Sequence, residues 1–481
     1  MTKQAGIIDT FLAQLWQIGE QPMQGQDNNN LEELPPSVYL VGALTQFALG
    51  LYAPFLNTYI LDMGANYAEL GIFRSVGNVA PTVLQPAWGA SSDRIGHNRA
   101  FVAFGTFSGL FMVLLFLWAE TPTYMILLFA IQSILFSIQI PTWQALIGGL
   151  MSEENRGHEL GKLGGITSVA SLIATLASGF IAGFPMVLPS LRAALGSFGT
   201  LIFPSVEAWR EAYYLPFYFT AVIGIIASLL SLKIHEKPRD PNGPRRFPPI
   251  LKLLSRPGEF RRFSFVAVFF SFAMSMAWPY FIVVQRIWLS NTLFEIAIAS
   301  AIMTASTVVF TIPFGRLSDR IGRKPLIILG RGLLFLVPLL YAFSIPISEI
   351  VGVPPVWIIY FSNAIAGICT AAALNAITAY IFDIAPTSEL GSHLAVYNTF
   401  TGLVYLFGSL FAGFLGQALV IFIGDFLAVF WMLLLSTLLR FIASFFYLLL
   451  KEPRTYESNI WMELRAFFQI PRQDADTIRA H

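Results

Sequence analysis

The sequence predicts an all-α membrane protein of twelve transmembrane helices, arranged as two six-helix pseudo-symmetric bundles. Three observations carry that expectation. Apolar residues make up 56% of the 481 and charged residues only 12%, with 44 phenylalanines, far from a soluble average. Twelve apolar runs are each long enough to cross roughly 30 Å of hydrocarbon, which takes about 20 helical residues. Finally, GASSDRIGHN at 89–98 and GRLSDRIGRK at 315–324 are copies 226 positions apart, each following an apolar run.

Residues 1–36 are polar and rich in Asn and Gln, without the basic region, short apolar core and small-residue cleavage site of a signal peptide. They read as a cytoplasmic segment in which 7–18 has apolar residues at a helical spacing suited to a membrane surface. The first bundle, 37–234, holds runs near 37–60, 68–90, 99–119, 123–150, 162–184 and 212–234. A linker at 235–262, rich in Pro and charge and lacking an apolar period, tethers it to the second bundle, 263–450. Runs there lie near 263–288, 293–315, 325–345, 355–382, 393–421 and 426–450. A second cytoplasmic tail, 451–481, follows, with 461–470 another candidate surface segment.

Internal copies fix which helices correspond. The Asp-Arg pair and two glycines of each 226-offset copy suit a tight turn where a spanning run meets water, and Glu69 falls opposite Glu295 at the same offset. Residues 154–183 align with 388–417 at an offset of 234, matching Gly157 to Gly391 and Gly179 to Gly413, so the fourth and fifth helices correspond to the tenth and eleventh. Repeats of this kind characterise transporter architecture. The segment 185–211 has no counterpart and is expected to be an insertion, a short helix lying on the membrane, or a lid.

Of the 29 Lys and Arg residues, about 24 fall on one side, three on the other and two, Arg74 and Arg440, inside spans. That bias places both termini and the linker in the cytoplasm of a multi-pass plasma-membrane protein. A net charge of +1 argues against nucleic acid as a partner, and the single Cys369 can form no intrachain disulfide.

With these motifs on the page, the chain resembles a major facilitator superfamily transporter over residues 37–450, the specific signal being the GxxxDRxGR-type sequence after the second and eighth helices. The resemblance implies two bundles that rock about a central site and expose it alternately to each side. It also implies a conformational latch in which the Asp caps a neighbouring helix and the basic residues pair with an acid near the end of the fourth or tenth helix. Gly315, Asp319, Arg320, Arg323 and Lys324 inherit those roles, with Asp383 as the acid. The amino-terminal copy keeps Gly89, Asp93 and Arg94, but His97 and Asn98 replace the two basic residues and Gly149 stands where Asp383 does. Losing one partner removes the reason to keep the other.

Proton-coupled members of the family keep an acid deep in a span, where burial tunes it. None is found here: Asp62, Glu69, Glu120, Glu295 and Asp425 sit at outer ends, and Glu153, Glu154, Glu159, Asp383 and Glu389 at inner ones. The family's Arg of the fourth helix and its GPxxGG antiporter pattern are also missing.

Arg440 shares a helical stripe with Ser436, Thr437, Ser444 and Tyr447, so that stripe faces protein or water. Two kinds of role suit it: bonding to carbonyls and hydroxyls of packed helices, or binding an anion or gating. Arg74, on a face with Asn78, Pro81 and Gln85, either clasps an acid or reaches the interface. The resemblance draws the cavity walls from helices one, four, seven and ten, which carry Gln46, Tyr52 and Asn57; Gln132, Gln139, Trp143 and Gln144; Trp278, Tyr280 and Gln285; and Asn363 and Asn375. Amides and aromatics suit an uncharged or amphipathic organic molecule, and each equally suits helix packing. Pro141 and Pro279 are where bending would expose backbone.

The expectation is a secondary active or facilitative carrier of a small organic solute, acting as a monomer in the bilayer, with no cofactor and no metal. Proton-coupled multidrug export and a transport-dead scaffold or sensor are the alternatives. An enzyme is disfavoured because no Walker motif, His-Glu cluster or nucleophile elbow appears.

Overall fold

The computed structural model describes residues 34–95, 97–151, 156–183, 187–202, 207–236, 258–386 and 389–453. The surface segments at 7–18 and 461–470, most of the linker, and the side chains of Gly89, Asp93 and Arg94 lie outside the described residues. Regular structure among the described residues is helical throughout. In the first half α1 spans Pro36–Asp62, α2 Tyr67–Ile95, α3 Asn98–Phe116, α4 Pro122–Gly148, α5 Arg156–Ala182 and α6 Ala208–Ser231. In the second half α7 spans Glu259–Trp288, α8 Leu293–Ile321, α9 Arg323–Ala342, α10 Pro355–Ile384, α11 Leu390–Ile423 and α12 Asp425–Leu449. Eleven are both long and apolar enough to cross a membrane. The twelfth, α2, has 29 residues, about 43 Å of helix, but is diluted by Arg74, Asn78 and Thr82.

Local chemistry explains where helices start. Thr292 accepts from Glu295 N while the Glu295 carboxylate accepts from Thr292 N, closing a capping box at the head of α8. Asn66 and Glu69 make the same exchange at the head of α2. The repeated glutamates are therefore helix caps.

The repeated DRIG sequence is not a loop, as its turn chemistry suggests. α8 runs on through Asp319 and Arg320 to Ile321, because its polar last turns project beyond the apolar part of the helix, and the turn is left to Gly322, whose φ of 104° is open to glycine at no steric cost.

Within each half α1 packs on α5 and α6, and α8 and α9 on α10. Between halves, α2 lies along α11 and α5 along α8. The two glycines matched by the internal repeat sit at these crossings. A Cβ on Gly413 would stand 2.8 Å from the Gly71 Cα, and one on Gly179 would stand 2.4 Å from the Ala297 Cβ. Without side chains in the way the backbones approach closely, as membrane helices need when there is little hydrophobic drive between them. The segment without a counterpart contains a helical stretch, Val187–Ile202, kinked at Gly196 and tied to α6 by an Arg192–Glu211 ion pair of 2.6 Å.

Candidate functional site: a central cavity between the halves

Several spans are broken at mid-depth. α1 passes through a 3-10 turn at Ala53–Phe55, where Pro54 withholds a donor. α4 loosens at 137–138, before Pro141, and α7 at 276–277, before Pro279. α9 does the same at 334–335. The breaks in α1, α7 and α9 border a cavity of about 540 Å³, a volume that suits a small organic molecule. Asn57 of α1, Arg74 and Asn78 of α2, Phe129 of α4, Trp278 and Phe281 of α7, Asn363 of α10 and Arg440 of α12 line it, so both halves contribute.

Arg440 is only 1% exposed. Its Nη2 donates to Met274 O at 2.7 Å and its Nη1 to Leu334 O at 3.1 Å, carbonyls at the α7 and α9 breaks. The Phe281 ring centroid lies 5.9 Å from its Cζ. The polar stripe predicted on α12 faces protein, with Ser436 Oγ donating to Ala273 O at 2.6 Å.

The other sequence-predicted residues separate into two groups. Gln46, Gln139 and Trp143, with Gln144, line a smaller pocket of about 300 Å³ among α1, α4 and α5. Tyr52, Gln132, Tyr280 and Asn375 line neither space, because each is spent on holding helices together. Gln132 Nε2 donates to the Tyr52 hydroxyl at 3.0 Å and to Gly109 O at 3.1 Å. The Tyr280 hydroxyl donates to Ala412 O, and Asn375 Nδ2 to Thr311 O at 3.1 Å. Gln285 Nε2 likewise donates to the Tyr341 hydroxyl at 3.3 Å.

The end of the cavity distal to the chain termini is sealed by contacts between halves. Arg286, on a π-helical turn at the end of α7, grips Asp62 of α1 in two-pronged fashion, Nε to Oδ1 at 2.8 Å and Nη2 to Oδ2 at 3.1 Å. Tyr213 of α6 donates to the same carboxylate at 2.7 Å. Below it Tyr67 N donates to Gln417 Oε1 at 3.0 Å, the Tyr67 and Tyr280 rings meet edge to face, and Ser75 Oγ donates to Leu406 O at 2.9 Å. Toward the termini, Gly161, Gly164 and Gly165 of α5 have open space beside them. The chamber is thus closed at its distal end.

At the proximal end, Arg323 is inserted among Asp319 (Nη1 to Oδ1, 2.6 Å), Asp383 (Nε to Oδ2, 3.1 Å) and Ser318 (2.9 Å). Lys324 Nζ donates to Leu448 O at 2.9 Å, and Arg320 is exposed. Asp319, near the end of α8, accepts from the Arg323 side chain at the start of α9 and does not cap that helix, whose first backbone N–H groups go to Glu452.

Three features escaped the sequence reading. Arg331 of α9 counts among the buried charges: its Nη1 reaches Met274 Sδ at 3.6 Å and its Cζ stands 4.8 Å from the Phe270 centroid. Its place as the seventh residue of an apolar run was the missed signal. The Asp62–Arg286 pair joins residues 224 apart, which no local pattern reveals. Glutamates just beyond the sixth and twelfth helices cap the third and ninth. Glu236 accepts from the backbone N–H groups of Asn98 and Arg99 at 2.8 and 3.2 Å, and Glu452 from those of Arg323 and Lys324 at 3.2 and 2.8 Å. The shared Glu in HEKPR and KEPR was its trace.

Twelve helices in two like halves, with a chamber between them closed at one end, define a membrane carrier. The chain belongs to the Major Facilitator Superfamily, whose model matches residues 38–287 and 263–472. It is 25% identical over 407 residues to an uncharacterised MFS-type transporter of Methanocaldococcus jannaschii, covering 83% of this chain and 92% of the relative. To the quinolone resistance protein NorA of Staphylococcus aureus it is 22% identical over 191 residues, 40% of this chain and 42% of that protein. Among solved structures, a variant of the nucleoside transporter NupG superposes with a TM-score of 0.67 at 13% identity, over 86% of this chain and 99% of that one. A bacterial homologue of the lysosomal transporter Spinster, inward-facing and occupied, gives 0.65 at 17% identity, over 86% and 94%. These likenesses are of fold. The protein is therefore a multi-pass membrane transporter.

Proposed function

We propose that the chain is a secondary carrier that moves a small organic solute by alternating access, with the 540 Å³ cavity as its substrate chamber. The observation that carries this is a chamber walled by both halves and shut distally by contacts between them, above all Asp62–Arg286. Opening that end requires the pair to part, while the latch of Arg323 with Asp319 and Asp383 holds the proximal end of the second half. The halves are 37–234 and 263–450, tethered by 235–262, and the functional unit is a monomer that takes no nucleic acid. The positive-inside bias puts the distal end outside and both termini in the cytoplasm of a plasma-membrane protein. A cysteine introduced at the exposed proximal residue Gly258 is then expected to escape impermeant reagents applied to intact cells; labelling from outside overturns the orientation.

The central test is to join cysteines placed at Asp62 and Arg286 with a cleavable bifunctional thiol reagent in proteoliposomes. Flux is expected to stop on cross-linking and return on cleavage. Flux through the cross-linked carrier rules alternating access out.

The likeness to NorA favours a second reading, proton-coupled drug export. Against it, none of the described residues lining the cavity is an acid, and Glu69 and Glu295 are committed to helix caps. Reconstituted protein is expected to show downhill flux or exchange that an imposed pH gradient does not turn into accumulation. Uphill movement driven by the gradient alone restores the exporter.

A further inference from the structure

Guanidinium groups from opposite halves line the same chamber, and no described acid lines it with them. Arg74 comes from α2 and Arg440 from α12. Acids elsewhere are already engaged: Asp62 with Arg286, Asp383 with Arg323, Glu69 and Glu295 in capping boxes, Glu236 and Glu452 at helix starts. We propose that the chamber binds an organic anion, its negative group held between Arg74 and Arg440 and its apolar body against the aromatic walls. This rests on reading the cavity as the substrate chamber.

Donor accounting supports the assignment. A guanidinium carries five N–H donors. Arg440 commits two groups to the Met274 and Leu334 carbonyls, and its Nε is buried without a partner. The Arg74 Nε is also buried and unpartnered, and none of the described residues offers it a carboxylate. Behind Arg440, Arg331 adds a third buried guanidinium with an orphaned Nε, and both touch Met274, one at its oxygen and one at its sulfur. Like charges so placed repel in a medium of low dielectric, and leaving a charge uncompensated there is costly. Carbonyls offset only part of that cost, because they carry no net charge. An anion entering between Arg74 and Arg440 supplies the missing charge and accepts charge-assisted hydrogen bonds, the stronger kind.

The rest of the wall selects the body. Phe73, Phe129, Trp278 and Phe281 present apolar faces, while Asn57 and Asn363 supply neutral amides. A carboxylate or phosphate monoester on an aromatic or other apolar body fits this division, and an organic cation does not. Because one arginine comes from each half, a bound anion also links the halves.

The test uses purified full-length protein and matched probe series on phenyl and indolyl bodies, each as carboxylate, phosphate monoester, neutral amide and primary amine. Binding is read from quenching of tryptophan fluorescence, to which Trp278 on the wall contributes, and from thermal stabilisation. At least one anionic member is expected to bind about tenfold or more tighter than its amide, as charged hydrogen bonds allow. Arg74→Gln and Arg440→Gln are expected to bring anion and amide close to parity, and Arg74→Lys to keep the preference. Should Arg440→Gln fail to fold, Arg74→Gln, on a side chain that is not fully buried, carries the test. Equal binding across charges, preference for amines, no anion binding, or a preference untouched by the Gln variants overturns the proposal. Counterflow in proteoliposomes separates it from the carrier reading. Flux of a neutral member with no anion preference sinks the anion and keeps the carrier; a tightly bound anion that never exchanges sinks the carrier and keeps the site.

Discussion

The proximal corners of the two halves are built on one plan and finished differently. In both, a glutamate from the end of the sixth or twelfth helix accepts the first N–H groups of the third or ninth, where unpaired donors and the helix dipole favour an anion. Among the described residues, only the second half adds a buried cation: Arg323, 6% exposed, between Asp319 and Asp383. In the first half His97 is exposed and Gly149 takes the place of the acid. The duplicated part is thus the one every helix start needs, and the part that has diverged is the ion pair. A cap can be kept for folding alone, whereas a buried ion pair contributes little net stability and is retained where a conformation must be specified.

The largest effect that tests this contrast is expected from Asp383→Asn. It leaves Arg323 buried with Asp319 alone, whose side chain is 65% exposed and correspondingly screened. Breaking a buried pair from one side costs about 3–5 kcal/mol, and here the expected outcome is a large loss of flux in proteoliposomes with a lowered unfolding temperature. Asp319→Asn is expected to do much less, through the same measurements. If Asp319→Asn proves the more damaging of the two, the buried acid is not the partner that matters.

Next in size is the distal seal. Asp62→Asn removes the charge that Arg286 and Tyr213 both hold and leaves the end of α7 free to part from α1. The equilibrium between closed and open distal ends is expected to shift by about tenfold or more, since one charged hydrogen bond contributes about 1.5–3 kcal/mol. Faster alkylation of a cysteine replacing Asn57, on the chamber wall, by an impermeant reagent from outside reads that shift. An unchanged rate means the glycine crossings alone set the balance.

Much of this molecule is legible in its sequence because hydrocarbon leaves the chain so few options. The start of α10 at Pro355 and of α8 at Leu293 fall where the apolar runs begin, and the matched glycines Gly179 and Gly413 prove to be the close crossings between halves. Composition reads less well where one residue type serves two ends. Asn363 and Asn375 look alike on α10, yet only Asn363 reaches the chamber, while Asn375 bonds to Thr311 O on a neighbouring helix. Rotation about a helix axis decides between them, and an all-round apolar helix carries no moment to reveal it. Arg331 was hidden by its neighbourhood: set between Gly330 and Gly332 and near the basic GRK, it passes for a flank of the helix. Asp62–Arg286 is hidden by distance along the chain.

The smallest expected effects sharpen the comparison most, because they come in matched pairs. Glu236→Gln and Glu452→Gln are each expected to lower stability by about 1 kcal/mol, the scale of a helix cap, with similar shifts in unfolding temperature. A much larger shift for Glu452 means that its cap is part of the latch, since the same backbone N–H belongs to Arg323. His97→Arg, at an exposed position, is expected to change stability and flux by no more than about 0.5 kcal/mol equivalent. Adding Gly149→Asp supplies the acid at the position that matches Asp383. If the divergence of the first half is the loss of an ion pair and nothing else, the double variant regains a coupling of roughly 0.2–1 kcal/mol, the range for exposed pairs, read as non-additivity in a thermal double-mutant cycle. It also slows turnover, because a second latch then holds the proximal end of the carrier. Strict additivity in stability together with unchanged turnover shows that the backbone of the first half no longer brings those two positions together, and that its corner has become a cap without a latch.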